Sequence, residues 1–137
     1  MRLALAAILA MLLSANSLAG EAEVSSAQST IDRQLKAFQA NDGALAYSFA
    51  APSIKRIFPT VEAFMGMVTQ GYAPVRRPRS YSFGKVQEMS PTAIVQQVIL
   101  VGPDGKTYEA VYTLEMQADG THLITGCSLR ASNALTI

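Results

Sequence analysis

The sequence predicts an α+β fold in which N-terminal helices pack on an antiparallel meander of four strands. In the first half of the chain, apolar residues recur at spacings of three and four, which is typical of amphipathic helices. In the second half, apolar and polar residues alternate as in strands, and short connections join the four candidate strands. Helices come first and strands follow, so the chain lacks the βαβ alternation of a parallel sheet.

Residues 1–19 have the features of a secretory signal peptide. Arg2 supplies a positive charge, an apolar run follows over residues 3–13, and Ser17-Leu18-Ala19 places small residues where a signal peptidase cuts. The apolar run is too short to span a bilayer as a helix. We therefore expect cleavage after Ala19, one domain over residues 20–137, a periplasmic or secreted location, and no membrane contact of the mature chain.

Three helices and one extra helical turn are predicted before residue 72. Residues 24–40 place one apolar stripe on a single helix face, with Val24, Ala27, Ile31, Leu35 and Phe38 as its members. Asp42 or Asn41 is expected to cap a second helix, and the segment 53–58 to form one more turn. Thr60 is expected to cap a third helix over residues 61–70, which Gly71 ends in the left-handed conformation.

Four strands are predicted over residues 79–89, 92–101, 106–117 and 121–131. The breaks between them are rich in turn-forming residues: Ser90-Pro91, Gly102-Pro103-Asp104-Gly105 and Ala118-Asp119-Gly120. The third strand alternates clearly, with Tyr108, Ala110, Tyr112, Leu114 and Met116 on one face. Short connections between consecutive strands predict an antiparallel meander.

The charge balance argues against nucleic acid as a partner. Without Arg2 the chain has ten basic and ten acidic residues, and a zero net charge gives no general attraction to phosphates. The charges are nevertheless unevenly placed, because residues 32–85 carry a net +5 and residues 86–137 a net −3. The sequence therefore predicts no nucleic-acid binding but allows a local anion site.

The single cysteine and the single histidine predict neither catalysis nor a metal site. Cys127 is the only cysteine, so it forms no internal disulfide, and its apolar surroundings in the sequence predict a buried, inert thiol. His122 lies five residues earlier on the same predicted strand, and this odd offset predicts opposite faces. We expect His122 at the surface, no pairing with Cys127, no metal ligands and no cofactor.

Two segments resemble known families. The segment 31–52, "IDRQLKAFQANDGALAYSFAAP", is similar to the first-helix signature of the NTF2-like (cystatin-like α+β cone) superfamily. The segment 47–84 carries F-A-x-P-x-I, F-x-T-x-x-x-F, M-V-x-x-G-Y-x-P-V and R-P, and it resembles the bacterial domain of unknown function 4864 over roughly residues 29–129. The resemblance implies a curved sheet that forms a cone with the helices, and it transfers no catalytic residues.

Arg76, Arg77 and Arg79 lie together in the segment 71–83, "GYAPVRRPRSYSF", and three interpretations of them stay open. They protect the following strand from edge-to-edge aggregation, they anchor the chain by pairing with acids of the later strands, or they bind an anion. In the third case Arg77 and Arg79 project to the same side of an extended segment. With Tyr72 beside them, these are the predicted ligand-binding residues.

The function that we expect is a non-catalytic module that binds a small molecule or a protein. The small ligand is apolar or anionic, and the apolar character of the second strand on both faces predicts a homodimer through the sheet. NTF2-like relatives also include enzymes, so the alternative is a small isomerase, dehydratase or hydrolase with its site in the cone. An ionisable side chain that points into the cavity would favour the enzyme.

Overall fold

The described part of the chain folds as five helices followed by four strands, which confirms the predicted α+β class and adds one short helix, residues 73–76, that the sequence does not predict. The computed structural model describes the backbone of residues 5–132 and the side chains of residues 20–132. The predicted signal peptide and the last five residues lie outside this fully described part. The elements are α1 (Leu5–Gln39), α2 (Gly43–Ser48), α3 (Pro52–Ile57), α4 (Val61–Gly71), α5 (Ala73–Arg76), β1 (Ser80–Glu88), β2 (Ala93–Val101), β3 (Thr107–Met116) and β4 (His122–Ala131).

The four strands form one antiparallel sheet in the order β1-β2-β3-β4, which confirms the predicted meander. The sheet is curved and open, and the helices that pack on it contact β2 and β4. Two left-handed glycines, Gly105 and Gly120, lie in the β2–β3 and β3–β4 turns. Along β2 every second residue is buried, so one face of the sheet looks toward the helices and the other away from them.

The core lies between α1 and the inner face of the sheet. Four of the five predicted stripe residues of α1, Ala27, Ile31, Leu35 and Phe38, are buried, and the first one, Val24, is half-buried. Alternate residues of β3 meet this stripe, and Ala110, Tyr112 and Leu114 are buried there. Burial of these side chains is the main source of stability in a domain that forms no internal disulfide.

The predicted helix caps are confirmed, but the predicted end of α4 is wrong in its mechanism. The Asp42 carboxylate accepts a hydrogen bond from Leu45 N, and the Thr60 hydroxyl accepts one from Ala63 N, each at 3.1 Å. Gly71 does end α4, but it is not left-handed, since Gly105 and Gly120 are the positive-φ glycines of the described chain. Tyr72 is the cap residue between α4 and α5: its backbone N–H donates to the Val68 carbonyl of α4, and the extra turn α5 follows it. Pro74 occupies a first-turn position of α5, where proline is tolerated.

A bulge in β4 reverses which residues of that strand face the core. Leu114 pairs with Ile124 and Thr113 pairs with Gly126, so Thr125 is an extra residue in the strand. Because of this insertion, His122 and Cys127 lie on the same face of the sheet, paired with Met116 and Tyr112. The predicted opposite faces are therefore wrong, since the odd offset holds only for a strand without a bulge.

The free edge of β4 is partly covered at the bulge. The segment between α2 and α3 forms a parallel bridge to β4, in which Ile124 N donates to the Phe49 carbonyl at 2.9 Å and Ala51 N donates to the Ile124 carbonyl at 2.8 Å. An edge that is paired in this way is closed to strand addition by another chain. The bridge also places Ala50 against the inner face of β4.

Candidate functional site

An apolar cavity of about 250 Å³ lies between the helices and the inner face of β3 and β4. Its walls come from α1, α3, α4, α5 and both strands, and the residues that line it are Gln34, Phe38, Ala50, Ile54, Phe58, Phe64, Met67, Val68, Tyr72, Val75, Tyr112, Ile124, Gly126 and Cys127. The cavity is partly open to solvent, and apolar recesses of this kind are where small ligands bind in proteins. The cavity is therefore the candidate functional site.

The helix side of the cavity is built from packed aromatic rings. The Phe38 ring of α1 and the Phe64 ring of α4 stack with centroids 6.3 Å apart, and the Tyr47 ring lies 5.3 Å from Phe64. The Tyr47 hydroxyl is directed away to the Phe58 carbonyl, to which it donates a hydrogen bond of 2.6 Å. These contacts fix the wall and leave an apolar surface toward the cavity.

Tyr112 brings an unpartnered polar atom to this apolar site. The residue lies in the middle of β3 and is 1% exposed. Its hydroxyl oxygen has no hydrogen-bond partner among the described residues. Burial raises the pKa of Tyr112 well above its ordinary value, so the hydroxyl is neutral and keeps its proton. A buried polar group without a partner is costly, which makes this atom the notable feature of the cavity.

Cys127 faces Tyr112 across the pairing of β3 and β4. Its thiol influences the pKa of Tyr112, but the two groups do not form a hydrogen bond of normal geometry. Burial raises the pKa of the Cys127 thiol to about 12, and the effect of Tyr112 in the opposite direction is smaller. The thiol is therefore protonated at neutral pH, which agrees with the predicted inertness. Cys127 is half-buried, so the predicted full burial is wrong.

Tyr72, one of the predicted ligand-binding residues, lines the cavity at the junction of α4 and α5. Its hydroxyl donates a hydrogen bond of 3.0 Å to the Cys127 carbonyl. Burial raises the pKa of Tyr72, so this donor remains protonated. The Tyr72 hydroxyl proton therefore links the helices to β4 and is not available to a ligand.

Arg76 and Arg77 bind the C-terminal end of α1. Arg76 donates to the Phe38 carbonyl and, at 3.0 Å, to the Asn41 side-chain oxygen, while Arg77 donates to the same Asn41 oxygen and, at 3.2 Å, to the Gln39 carbonyl. Cations at this end of a helix satisfy carbonyls that have no partner within the helix. These contacts fit the anchor interpretation, with carbonyl and amide oxygens as partners in place of the expected acids.

Arg79 lies at a different place from Arg77. Its guanidinium donates a hydrogen bond of 2.9 Å to the Pro103 carbonyl in the β2–β3 turn. Arg77 and Arg79 thus bind separate segments, and neither lines the cavity that Tyr72 lines. Anion binding by these two residues stays a prediction.

His122 is buried, so its predicted position at the surface is wrong. It is 1% exposed and lies at the start of β4 against α1. Its Nδ1 is 3.0 Å from the Ser26 hydroxyl, and its carbonyl accepts a 2.6 Å hydrogen bond from the Thr30 hydroxyl. Burial lowers the pKa of His122, and Glu23 opposes this shift in part. The imidazole is a hydrogen-bonded core group outside the cavity lining.

The comparisons with known proteins identify the family. The model described as "Domain of unknown function (DUF4864)" matches residues 21–137, which is most of the chain. The chain belongs to the DUF4864 family. No curated protein and no solved structure matches the chain.

The chemistry available in the cavity of this DUF4864 protein is that of neutral groups. Among the described residues that line it, the polar side chains are Gln34, Tyr72, Tyr112 and Cys127, and none is a carboxylate, an amine, a guanidinium or an imidazole. The Gln34 amide donates to the Ala46 carbonyl at 3.1 Å. No group of three or more His, Cys, Asp or Glu side chains converges as metal ligands in the described part of the chain. Within the same residues, no helix has the length and apolarity to cross a membrane.

The sequence predicts Tyr72 as a site residue, but it favours a core role for Tyr112 and assigns no role to Gln34. The alternation of β3 placed Tyr112 on the buried face, and a tyrosine among alanine and leucine on such a face is a signal that could have been used. Gln34 lies between Ile31 and Leu35 on α1. Its position next to the apolar stripe is the only feature of the sequence that indicates a buried polar side chain. In both cases the decisive fact is which partners the fold supplies, and the local pattern does not contain it.

Proposed function

We propose that this DUF4864 protein is an exported, non-catalytic module that binds a small apolar molecule in the cavity between its helices and its sheet. The observation that carries the proposal is an apolar cavity of about 250 Å³ with one buried, unpartnered hydroxyl in its wall. Ligand sites in proteins have this composition, with apolar walls and few polar groups that orient the ligand. A bound molecule would restore the packing contacts that an empty space lacks.

Export is supported by the sequence and by the position of the family match. The apolar run and the small residues before position 20 support cleavage near Ala19, and the start of the family match at residue 21 agrees with it. An exported protein meets the small molecules of its surroundings directly. N-terminal sequencing of the protein from its own host tests this part, with Gly20 as the expected first residue.

The NTF2-like relationship and a homodimer are further parts of the proposal. A curved, open antiparallel sheet with helices packed on one face supports the first. The outer face supports the second, because Val95, Ile99 and Val111 lie there on neighbouring strands. Among the described residues no helix packs on that face, and a second sheet of the same kind would cover it.

The cavity supports binding over acid–base catalysis. An isomerase or dehydratase of the kind considered above needs a carboxylate or an imidazole at the reacting atoms. The described cavity lining has neither, and the thiol of Cys127 has a pKa of about 12. Binding needs only shape, apolar surface and a polar anchor, and all three are present.

Thermal unfolding with toluene tests the proposal. A cavity of 150 Å³ is large enough for benzene, so toluene fits a cavity of about 250 Å³. We expect toluene to raise the melting temperature, because a ligand that binds only the folded state stabilises it. Met67→Trp fills the cavity from α4 and is expected to abolish the rise.

Met89→Trp is the matched control, since it makes the same chemical change at a side chain that is 60% exposed and outside the cavity. It should leave the response to toluene unchanged. A melting temperature of the natural protein that does not respond to toluene, or a response that survives Met67→Trp, contradicts the proposal.

A further inference from the structure

We infer that the cavity takes a neutral, compact, apolar molecule with one hydrogen-bond-accepting oxygen, and that this oxygen binds the Tyr112 hydroxyl. This inference rests on the proposed small-molecule binding and narrows its ligand class. The expectation from the sequence was an apolar or an anionic ligand, and the structure distinguishes the two.

The first argument is the state of the Tyr112 hydroxyl. The side chain is 1% exposed, and the oxygen has no hydrogen-bond partner among the described residues. A buried polar group without a partner is unfavourable, and native proteins rarely leave one. The hydroxyl lies among side chains that line the cavity, so a molecule bound there can supply the missing partner.

The second argument concerns which partner the hydroxyl needs. The Tyr72 hydroxyl already uses its proton on the Cys127 carbonyl, and a thiol is only a weak donor. The Tyr112 proton is therefore the strong hydroxyl donor that remains at this wall. Its natural complement is an acceptor, such as the oxygen of a ketone, an aldehyde, an ester or an ether.

The third argument excludes a charged ligand. The described lining contains no Lys, Arg or His that could pair with an anion and no carboxylate that could pair with a cation. Arg76 and Arg77 bind the end of α1, and Arg79 binds the β2–β3 turn. Moving an unpaired ion from water into such a site costs several kcal/mol. Burial keeps both the Tyr112 hydroxyl and the Cys127 thiol neutral, because it raises both pKa values.

The fourth argument is size. A cavity of about 250 Å³ exceeds the 150 Å³ that holds benzene and lies just below the range of drug-sized pockets. A single ring with a short side chain, or a short branched chain, fits this volume.

Three probes of similar size test the inference on the purified protein. Acetophenone has a ring and a carbonyl oxygen, ethylbenzene has a similar shape without an acceptor, and benzoate at pH 7 is an anion. Dissociation constants are measured by NMR titration for the natural protein and for Tyr112→Phe. We expect acetophenone to bind more tightly than benzoate, and its advantage over ethylbenzene to be about 5-fold larger in the natural protein than in Tyr112→Phe.

Tyr108→Phe is the control, because Tyr108 is not among the cavity residues and bonds Asp104 in the β2–β3 turn. It should leave the ratio of the two dissociation constants unchanged.

The outcomes separate the inference from the function on which it rests. If acetophenone and ethylbenzene bind in the same ratio with and without the Tyr112 hydroxyl, the cavity binds ligands but the inferred acceptor class is wrong. If benzoate binds more tightly than acetophenone, the inferred neutrality is wrong. If none of the probes binds up to its solubility limit, the proposed function itself is overturned.

Discussion

The Tyr81 hydroxyl donates a hydrogen bond to a carboxylate oxygen of Asp32, and this contact joins the edge strand β1 to α1. The other carboxylate oxygen accepts a 2.8 Å hydrogen bond from Lys36, one turn further along the helix. The pKa of Asp32 is lowered by the hydrogen bond from Lys36, which has the largest effect, and by the hydrogen bond from Tyr81. The pKa of Tyr81 is raised to about 12 by burial and by its hydrogen bond to Asp32. The contact between β1 and α1 is therefore sensitive to pH.

The first prediction is that Tyr81→Phe destabilises the protein by about 1 kcal/mol at pH 7, because a charge-assisted hydrogen bond is lost at a half-buried site. Folding lowers the pKa of Asp32, so its stabilising effect is present above the ordinary value of 3.8 and is lost as the pH falls through the lower folded value. The difference between the two proteins should thus shrink as the pH falls below 3.8. Urea unfolding at pH 7 and pH 2.5 measures it, and an equal difference at both pH values contradicts the prediction.

The second prediction concerns two cavity tyrosines with opposite expected effects. Tyr112→Phe removes an unpartnered buried hydroxyl and should raise the free energy of unfolding by about 1 kcal/mol in ligand-free protein. Tyr72→Phe removes the 3.0 Å hydrogen bond to the Cys127 carbonyl and should lower it by about 1 kcal/mol. Urea unfolding compares both variants with the natural protein. A loss of stability in Tyr112→Phe would show that its hydroxyl has a partner.

The third prediction is that Cys127 resists thiol reagents in the folded protein. With a pKa of about 12, only about one thiol in ten thousand is ionised at pH 8, against roughly a quarter for an ordinary cysteine. Alkylation by iodoacetamide at pH 8 should be slow and should become fast when urea unfolds the chain. Rapid modification of the native protein at pH 8 would contradict the assigned environment of the thiol.

The fourth prediction separates the roles of the arginines. Arg76→Gln should destabilise the protein by about 1–2 kcal/mol, because Arg76 is half-buried and caps the Phe38 carbonyl and Asn41. Arg79→Gln, at an exposed residue bound to a single carbonyl, is the milder control. Melting temperatures are measured with and without inorganic phosphate. A phosphate-dependent stabilisation that Arg77→Gln and Arg79→Gln remove would support the anion site instead.

The fifth prediction tests the proposed dimer. Val111→Lys places a charge in the middle of the outer face of the sheet, on a strand whose inner residues are untouched. We expect the natural protein to dimerise with rising concentration and the variant to remain a monomer of unchanged stability, because a buried charge opposes association. Sedimentation velocity measures both. A natural protein that stays monomeric at high micromolar concentration contradicts the dimer.

The sequence predicts the elements of this fold well because hydrophobic period and turn chemistry are local properties. The stripe of α1, the caps of α2 and α4 and all four strands follow from them. The short helix α5 was not predicted, because Pro74 was interpreted as a helix break. A proline in the first turn is in fact compatible with a helix. The bulge at Thr125 was not predicted either. One extra residue in β4 changes which side of the sheet the following residues face, but it leaves the amino-acid pattern of the strand unchanged.

The candidate site was less predictable, for a physical reason. That Tyr112 is buried follows from the alternation of β3, but that its hydroxyl lacks a partner depends on every side chain that surrounds it. The arginines are a second case. Their closeness in the sequence suggested one common binding partner, but in the fold Arg77 binds Asn41 and Arg79 binds the Pro103 carbonyl. Sequence patterns report which residues are buried, and only the three-dimensional arrangement reports which contacts are missing.

The meander has a consequence for the order in which this chain acquires its structure. Each strand pairs with its neighbour in sequence, so the sheet forms by closing short loops, which is fast. The hydrogen bond from Thr30 to the His122 carbonyl, by contrast, joins residues 92 positions apart. The apolar stripe of α1 is synthesised before the sheet, and β4, which packs against α1, is the last strand to be synthesised. We therefore expect the docking of α1 onto the paired strands to be the slow step of folding. Until α1 docks, its apolar stripe is exposed, and exposed apolar surface is what chaperones bind.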